Sequence, residues 1–212
     1  MFKAAFRTIK TYLPLKPLAR DRLPIGTVDE VHEFARTRAA FVSQKKLYGY
    51  LKERIGTRYP KAIEDDAFSK SVNIAKLEVF AASLADMTCF CIGAALADDH
   101  LSNAVREASA RACFRRGIED NDDGSCGREA QTKWFSAFDA RLEKTDWTVT
   151  DSAHFIESAS ALVRWAPIAD ELKTLDRDIV ENSITNAFVE VRAEFHRRLD
   201  RDGVLVDFKA AD

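Results

Sequence analysis

From Phe68 to Ala97 the chain places apolar side chains on nearly every side of a would-be helix, most densely between Val79 and Gly93. A helix that is apolar all round either lies inside a protein or crosses a bilayer. Asp86 sits near the middle of this stretch, with Lys76, Glu78 and Ser83 upstream, and a carboxylate at a bilayer centre costs roughly 3 kcal/mol. The Ala, Gly, Ser and Cys residues along it suit close approach of neighbouring helices. The segment therefore reads as the central helix of a bundle, and the rest of the chain has to cover it.

The remaining sequence can do this with helices. With 8 Gly and 5 Pro in 212 residues, little material is left for the many turns of a β-sandwich or barrel. The length suits one core. Thr27 and Glu30 have capping-box spacing and Gly56 can close a helix, which predicts one long helix over Val28 to Ile55. Its apolar side changes from Val31, Phe34, Ala35 and Val42 to Leu47, Tyr48, Leu51 and Ile55, so it either meets different partners or breaks near Ser43 to Lys46. A loop follows over 57–65. Helices are predicted over 102–117 and around Trp134, Phe135, Phe138 and Leu142, then from a cap at Thr150 or Asp151 to Trp165. Pro167 would stand in the first turn of the next helix. The series Leu172, Leu175, Ile179, Ala187, Phe188, Val191, Phe195 and Leu199 reads as one long helix, or two divided near Asn182 and Ser183, ended by Gly203. The expectation is an all-α, single-domain bundle of about six to eight helices with one central apolar helix.

Charge is spread unevenly. The chain carries a formal net charge of −2, yet Lys3, Arg7, Lys10, Lys16, Arg20 and Arg22 stand at its start against Asp21 alone. Phe2, Phe6, Ile9 and Leu13 recur at helical spacing beside Lys3, Arg7 and Lys10, and Pro14, Pro17 and Pro24 follow. Residues 1–25 thus read as a basic amphipathic helix with a Pro-rich connector, residues 26–203 as the helical domain, and residues 204–212, with Val204-Leu205-Val206, as a tail or isolated strand. Phe2, Lys3, Phe6, Arg7, Ile9, Lys10 and Leu13 are the candidate surface-docking residues, for an anionic membrane or an acidic protein face.

The chemical motifs are sparse. Cys89, Cys91, Cys113 and Cys126 form no zinc-ligand pair, and with no secretory h-region in Met1 to Leu23 they read as reduced thiols of a cytoplasmic protein. Gly124-Ser125-Cys126-Gly127 misses the nucleophile-elbow spacing. Ser43-Gln44-Lys45-Lys46 has S-x-x-K spacing but lacks the other elements of a serine acylase, so a solvated helix surface is expected there. Glu119, Asn121, Asp123 and Gly124 alternate like a calcium loop, although Ala130 stands where the bidentate Glu would be. Asp29-x-x-His32 and Asp151-x-x-His154 put an acid and an imidazole on one helical face, and with Glu78 and Glu194 would make a bundle di-metal set if all converged. Acids at helix N-termini are the simpler explanation, so no cofactor is expected. Asp86 is expected to be buried beside an Arg or Lys of a neighbouring helix, with Asp86→Leu milder than loss of that partner alone.

Bases and aromatics interleave from Gln44 to Pro60, but the domain is acidic, which argues against nucleic acid. The same stretch, with Glu64-Asp65-Asp66 and Asn73-Ile74-Ala75-Lys76, resembles small all-helical proteins of alphaproteobacteria that carry an automatic esterase label, over roughly residues 1 to 100. That resemblance implies a small hydrolase and assigns no site residues. The residues themselves favour a non-enzymatic helical interaction or assembly protein, peripheral on the inner membrane face or bound to a protein partner through its N-terminus. A small hydrolase and a metal-dependent bundle oxidoreductase are the alternatives.

Overall fold

A computed structural model describes residues 23–98, 100–122, 124, 126–149 and 152–211. Helix α1, Val28–Ile55, starts at the expected capping box: Thr27 Oγ1 accepts from the Glu30 amide at 3.2 Å, and Glu30 Oε2 accepts from the amides of Thr27 and Gly26. It ends at Gly56, whose φ of +60° is open to glycine at little cost. No break interrupts it. The change of apolar side reflects different partners, since α1 packs chiefly against α2, Asp66–Ala95, and also against α3, Asn103–Glu119, and α6, Asp170–Arg198.

Helix α2 is the centre of the bundle. Asp65 caps it by accepting from the Phe68 amide at 2.8 Å, and from Val79 almost every side chain is buried, including Leu84, Met87, Phe90 and Ile92. Among the described residues it is the one helix long and apolar enough to cross a membrane, and here the other helices cover most of its apolar stretch. Helix α3, capped by Ser102, comes so near that a Cβ on Gly117 would lie 2.7 Å from a Leu84 methyl. Helix α4, Arg128–Leu142, adds Trp134, Phe138 and Leu142, with Phe138 stacked on Phe114 at 4.2 Å. The short helix α5, Ser158–Trp165, fits between α2 and α6. The described residues thus form an all-α bundle, and their β pairing is one isolated bridge, Ile25 to Leu199.

Several local expectations change. The 57–65 connection holds a 3-10 turn, Gly56–Arg58, and a one-turn helix, Tyr59–Ala62. Thr150 and Asp151 lie outside the described residues; the helix they were expected to cap begins at Ser158, beyond a 3-10 turn at Ser152–His154. Pro167 lies in the bend before α6, which starts at Asp170 and runs without division to Arg198. Gly203 does not end that helix. Leu199 is extended, the Asp200 carboxylate accepts from the Gly203 amide at 3.1 Å, and a new helix α7, Arg201–Ala211, follows. Residues 204–211 are therefore helical instead of a tail or strand, because Val204 is buried in the core with Leu205 and Phe208 packed against it. Burial overrides the extended preference of Val-Leu-Val.

The start of the described chain is stitched to this end. Ile25 donates to the Arg198 carbonyl and accepts from the Asp200 amide, Arg198 Nε donates to the Leu23 carbonyl at 2.9 Å, and the Val28 amide donates to Asp207.

Candidate functional site

Asp86 is fully buried, and Arg141 of α4 donates to its Oδ1 at 2.8 Å. The basic partner on a neighbouring helix is therefore present. A further set of donors was not legible: the amides of Ile156, Glu157 and Ser158 also point at the carboxylate, the last at 2.8 Å. Asp86 thus caps α5 from another helix, replacing the local cap the sequence suggested. Arg141 also donates to the His154 carbonyl at 2.6 Å and pairs with Glu157 at 3.3 Å. Burial raises the Glu157 pKa, against the lowering effect of Arg141. Both Asp86 oxygens are thus engaged by five donor contacts, the pattern of a buried structural cap.

The other polar candidates are dispersed. Asp29 pairs with Arg116 at 2.5 Å, while neither ring nitrogen of His32 finds a hydrogen-bond partner among the described residues. Burial, and then Arg116, lower the His32 pKa. His154 Nε2 meets the Val149 carbonyl at 2.5 Å, and burial lowers its pKa as well. Glu78 accepts from Trp134 Nε1, and Glu194 binds Arg38 and Arg198. The two histidines and two glutamates do not converge, and no group of three potential ligands among the described residues is placed to hold a metal. Near the calcium-like loop, Asn121 donates to the Gly117 carbonyl, and Asp122 accepts from Gln131 and the Gly124 amide; Asp123 lies outside the described residues.

The S-x-x-K pair also separates. Ser43 is buried and donates to its own helix at the Ala40 carbonyl, so it is not on a solvated surface, whereas Lys46 reaches Ser183 of α6 at 2.9 Å. Burial raises the thiol pKa of Cys89 to about 11 and of Cys113 to about 12, and raises that of Cys91 too, so these sulfurs stay protonated and poor nucleophiles. In the basic and aromatic stretch, Tyr48 packs on the core, and Tyr50 and Arg54 both bind Asp176 of α6.

The most distinctive surface lies on α6. Leu175 and Ile179 are 75% and 73% exposed, and Leu172 is exposed with them. The core face of α6 is instead Asp176, Val180, Ile184, Phe188, Val191 and Phe195. Two stripes carrying large aliphatic residues share this helix, and only one can point inward. The outer one runs Leu172, Leu175, Ile179, Asn182, Asn186, Val189, alternating three and four residues, with every position exposed. That is the spacing of a helix-pairing seam. Glu171 and Asp178, also exposed, line one side of it, while α1 occupies the other through Arg54 and Lys46. Phe2, Lys3, Phe6, Arg7, Ile9, Lys10 and Leu13 lie outside the described residues.

No family model, no curated protein and no solved structure matches this chain.

Proposed function

We propose that this protein is a non-enzymatic helical interaction or assembly protein that presents the outer seam of α6 to an amphipathic helix of a partner. The observation that supports this reading is the seam: three large aliphatic side chains, Leu172, Leu175 and Ile179, stand in solvent at helix-pairing spacing. The buried thiols of Cys89, Cys91 and Cys113 suit work in a reducing, cytoplasmic compartment. A photo-crosslinking residue at Leu175, with a control at the exposed Glu143, tests the reading in cells of the protein's own source. A discrete heterologous protein adduct formed from position 175, absent from position 143 and lost on Ile179→Asp, is the expected result. Identical patterns from the two positions would refute it.

The basic, amphipathic spacing of Phe2 to Leu13 favours a second reading, attachment to an anionic membrane, where each cation near the surface contributes about 1 kcal/mol. Vesicle co-sedimentation of the full chain and of one lacking residues 1–13 separates the cases. Strong binding by the full chain alone supports attachment. Equally weak binding by both, with a lower melting temperature in the shortened chain, makes the segment structural.

A further inference from the structure

We infer that residues 1–13 of this same chain occupy the α6 seam, lying parallel to α6 and covering Leu175 and Ile179. The inference rests on the reading of the seam as a docking face and names its resident occupant. Three independent features meet in it: apolar spacing, charge and the direction of the chain.

The amphipathic helix predicted for residues 1–13 carries its own pairing seam, Phe2, Phe6, Ile9 and Leu13, alternating four and three residues. Two such seams bury each other's side chains when they run side by side. Lys3 and Lys10 each follow a seam residue and stand seven residues apart; Glu171 and Asp178 flank the α6 seam, also seven apart. In a parallel pair, with Phe2 beside Leu175 and Phe6 beside Ile179, Lys3 faces Glu171 and Lys10 faces Asp178, the flanking ion-pair pattern of parallel helix pairs. An antiparallel pair would turn both lysines towards the other flank, where Arg54 and Lys46 already stand.

The tether imposes the same direction. The described chain begins at Leu23, whose carbonyl is held by Arg198 at the C-terminal end of α6. Residues 1–13 running parallel to α6 head towards that anchor, so the connector need not double back. From Leu13, level with Asn186, to the level of Arg198 is about 18 Å along the helix axis, and the ten peptide links from Leu13 to Leu23 reach about 33 Å. A tether of this length sets an effective concentration of order millimolar, so even a contact of ~100 µM intrinsic affinity is closed about ten to one.

The test is thiol accessibility at the seam. In the full chain with Cys126→Ser, which removes the partly exposed native thiol and leaves the three buried ones, Leu175→Cys is labelled with a maleimide. A second protein adds Phe2→Asp and Phe6→Asp. Labelling about tenfold slower in the first protein than in the second, at every protein concentration, is the expected result. Equally fast labelling of both overturns the inference and leaves the seam open to an external partner. Slow labelling that survives the two Phe substitutions and deepens with protein concentration also overturns it, because the cover is then a second copy. Neither overturning result depends on whether position 175 captures a heterologous protein, so failure of this inference and failure of the functional reading remain separable.

Discussion

The Asp86 centre and the outer face of α6 are opposites. One is a charged group buried among apolar helices, and the other is a row of apolar groups in water. At Asp86 both carboxylate oxygens find donors, drawn from Arg141 of α4 and from the amides at and just before the start of α5. On α6, Leu175 and Ile179 keep most of their surface in solvent in the described fold. A buried carboxylate is a familiar place to look for chemistry, yet here its lone pairs are consumed by folding. The unspent free energy lies in the exposed aliphatic groups, which is why interaction is the function proposed.

The largest expected effect tests whether the Asp86 centre is a pair or a cap. If only the ion pair mattered, Arg141→Met would be worse than Asp86→Leu, since it would strand a buried charge. The backbone donors reverse that order. Asp86→Leu strands the Ser158, Glu157 and Ile156 amides as well as Arg141, and should cost about 4 kcal/mol in urea unfolding. Arg141→Met leaves the carboxylate with its amides and should cost about 2 kcal/mol. The opposite order would make the amides incidental.

A smaller effect sharpens the contrast between the two stripes of α6. In the Phe2→Asp, Phe6→Asp background, which clears the seam, Ile184→Ala should lose about 3 kcal/mol because Ile184 is fully buried. Ile179→Ala in the same background should stay within about 0.5 kcal/mol. Comparable losses at both positions would mean that the outer stripe is covered by something other than residues 1–13.

The smallest effect is pH-dependent. Burial lowers the His32 pKa from its ordinary 6.5, so the unfolded chain takes up a proton at a pH where the folded one does not. The stability this contributes is fully present above pH 6.5 and is lost as pH falls from there through the folded value. Melting temperatures at pH 7.5 and 5.5 should therefore converge in His32→Leu relative to the unaltered chain. An unchanged difference between the two pH values would show that His32 is not held neutral.

Much of the architecture was legible because local signals and burial agree. The capping box at Thr27 and Glu30, the +60° residue at Gly56, the cap at Ser102 and the all-round apolar stretch of α2 each depend on residues a few positions apart. Asp86 was legible as a buried acid with a basic partner, since a central carboxylate in such a helix has few other ways to exist. Its capping of α5 was not, because the two ends of that interaction are 72 residues apart. Likewise, nothing near Val204 announces that it will be buried, and the helix there forms because the core accepts Val204 and Phe208.

Sequence alone determined that the chain is helical, that α2 is its centre, and that a run rich in Lys and Arg precedes the bundle, because periodicity, caps and charge are properties of neighbouring residues. Tertiary structure alone decided which stripe of α6 faces inward, since Leu175 and Val180 belong to competing stripes of one helix and only the space left by α1, α2 and α5 selects between them. It also decided that Ser43 and Lys46 part company, that His32, His154, Glu78 and Glu194 do not meet, and that Asp86 serves a helix end far along the chain. Each of these outcomes depends on where another helix lies, which spacing along one segment does not encode.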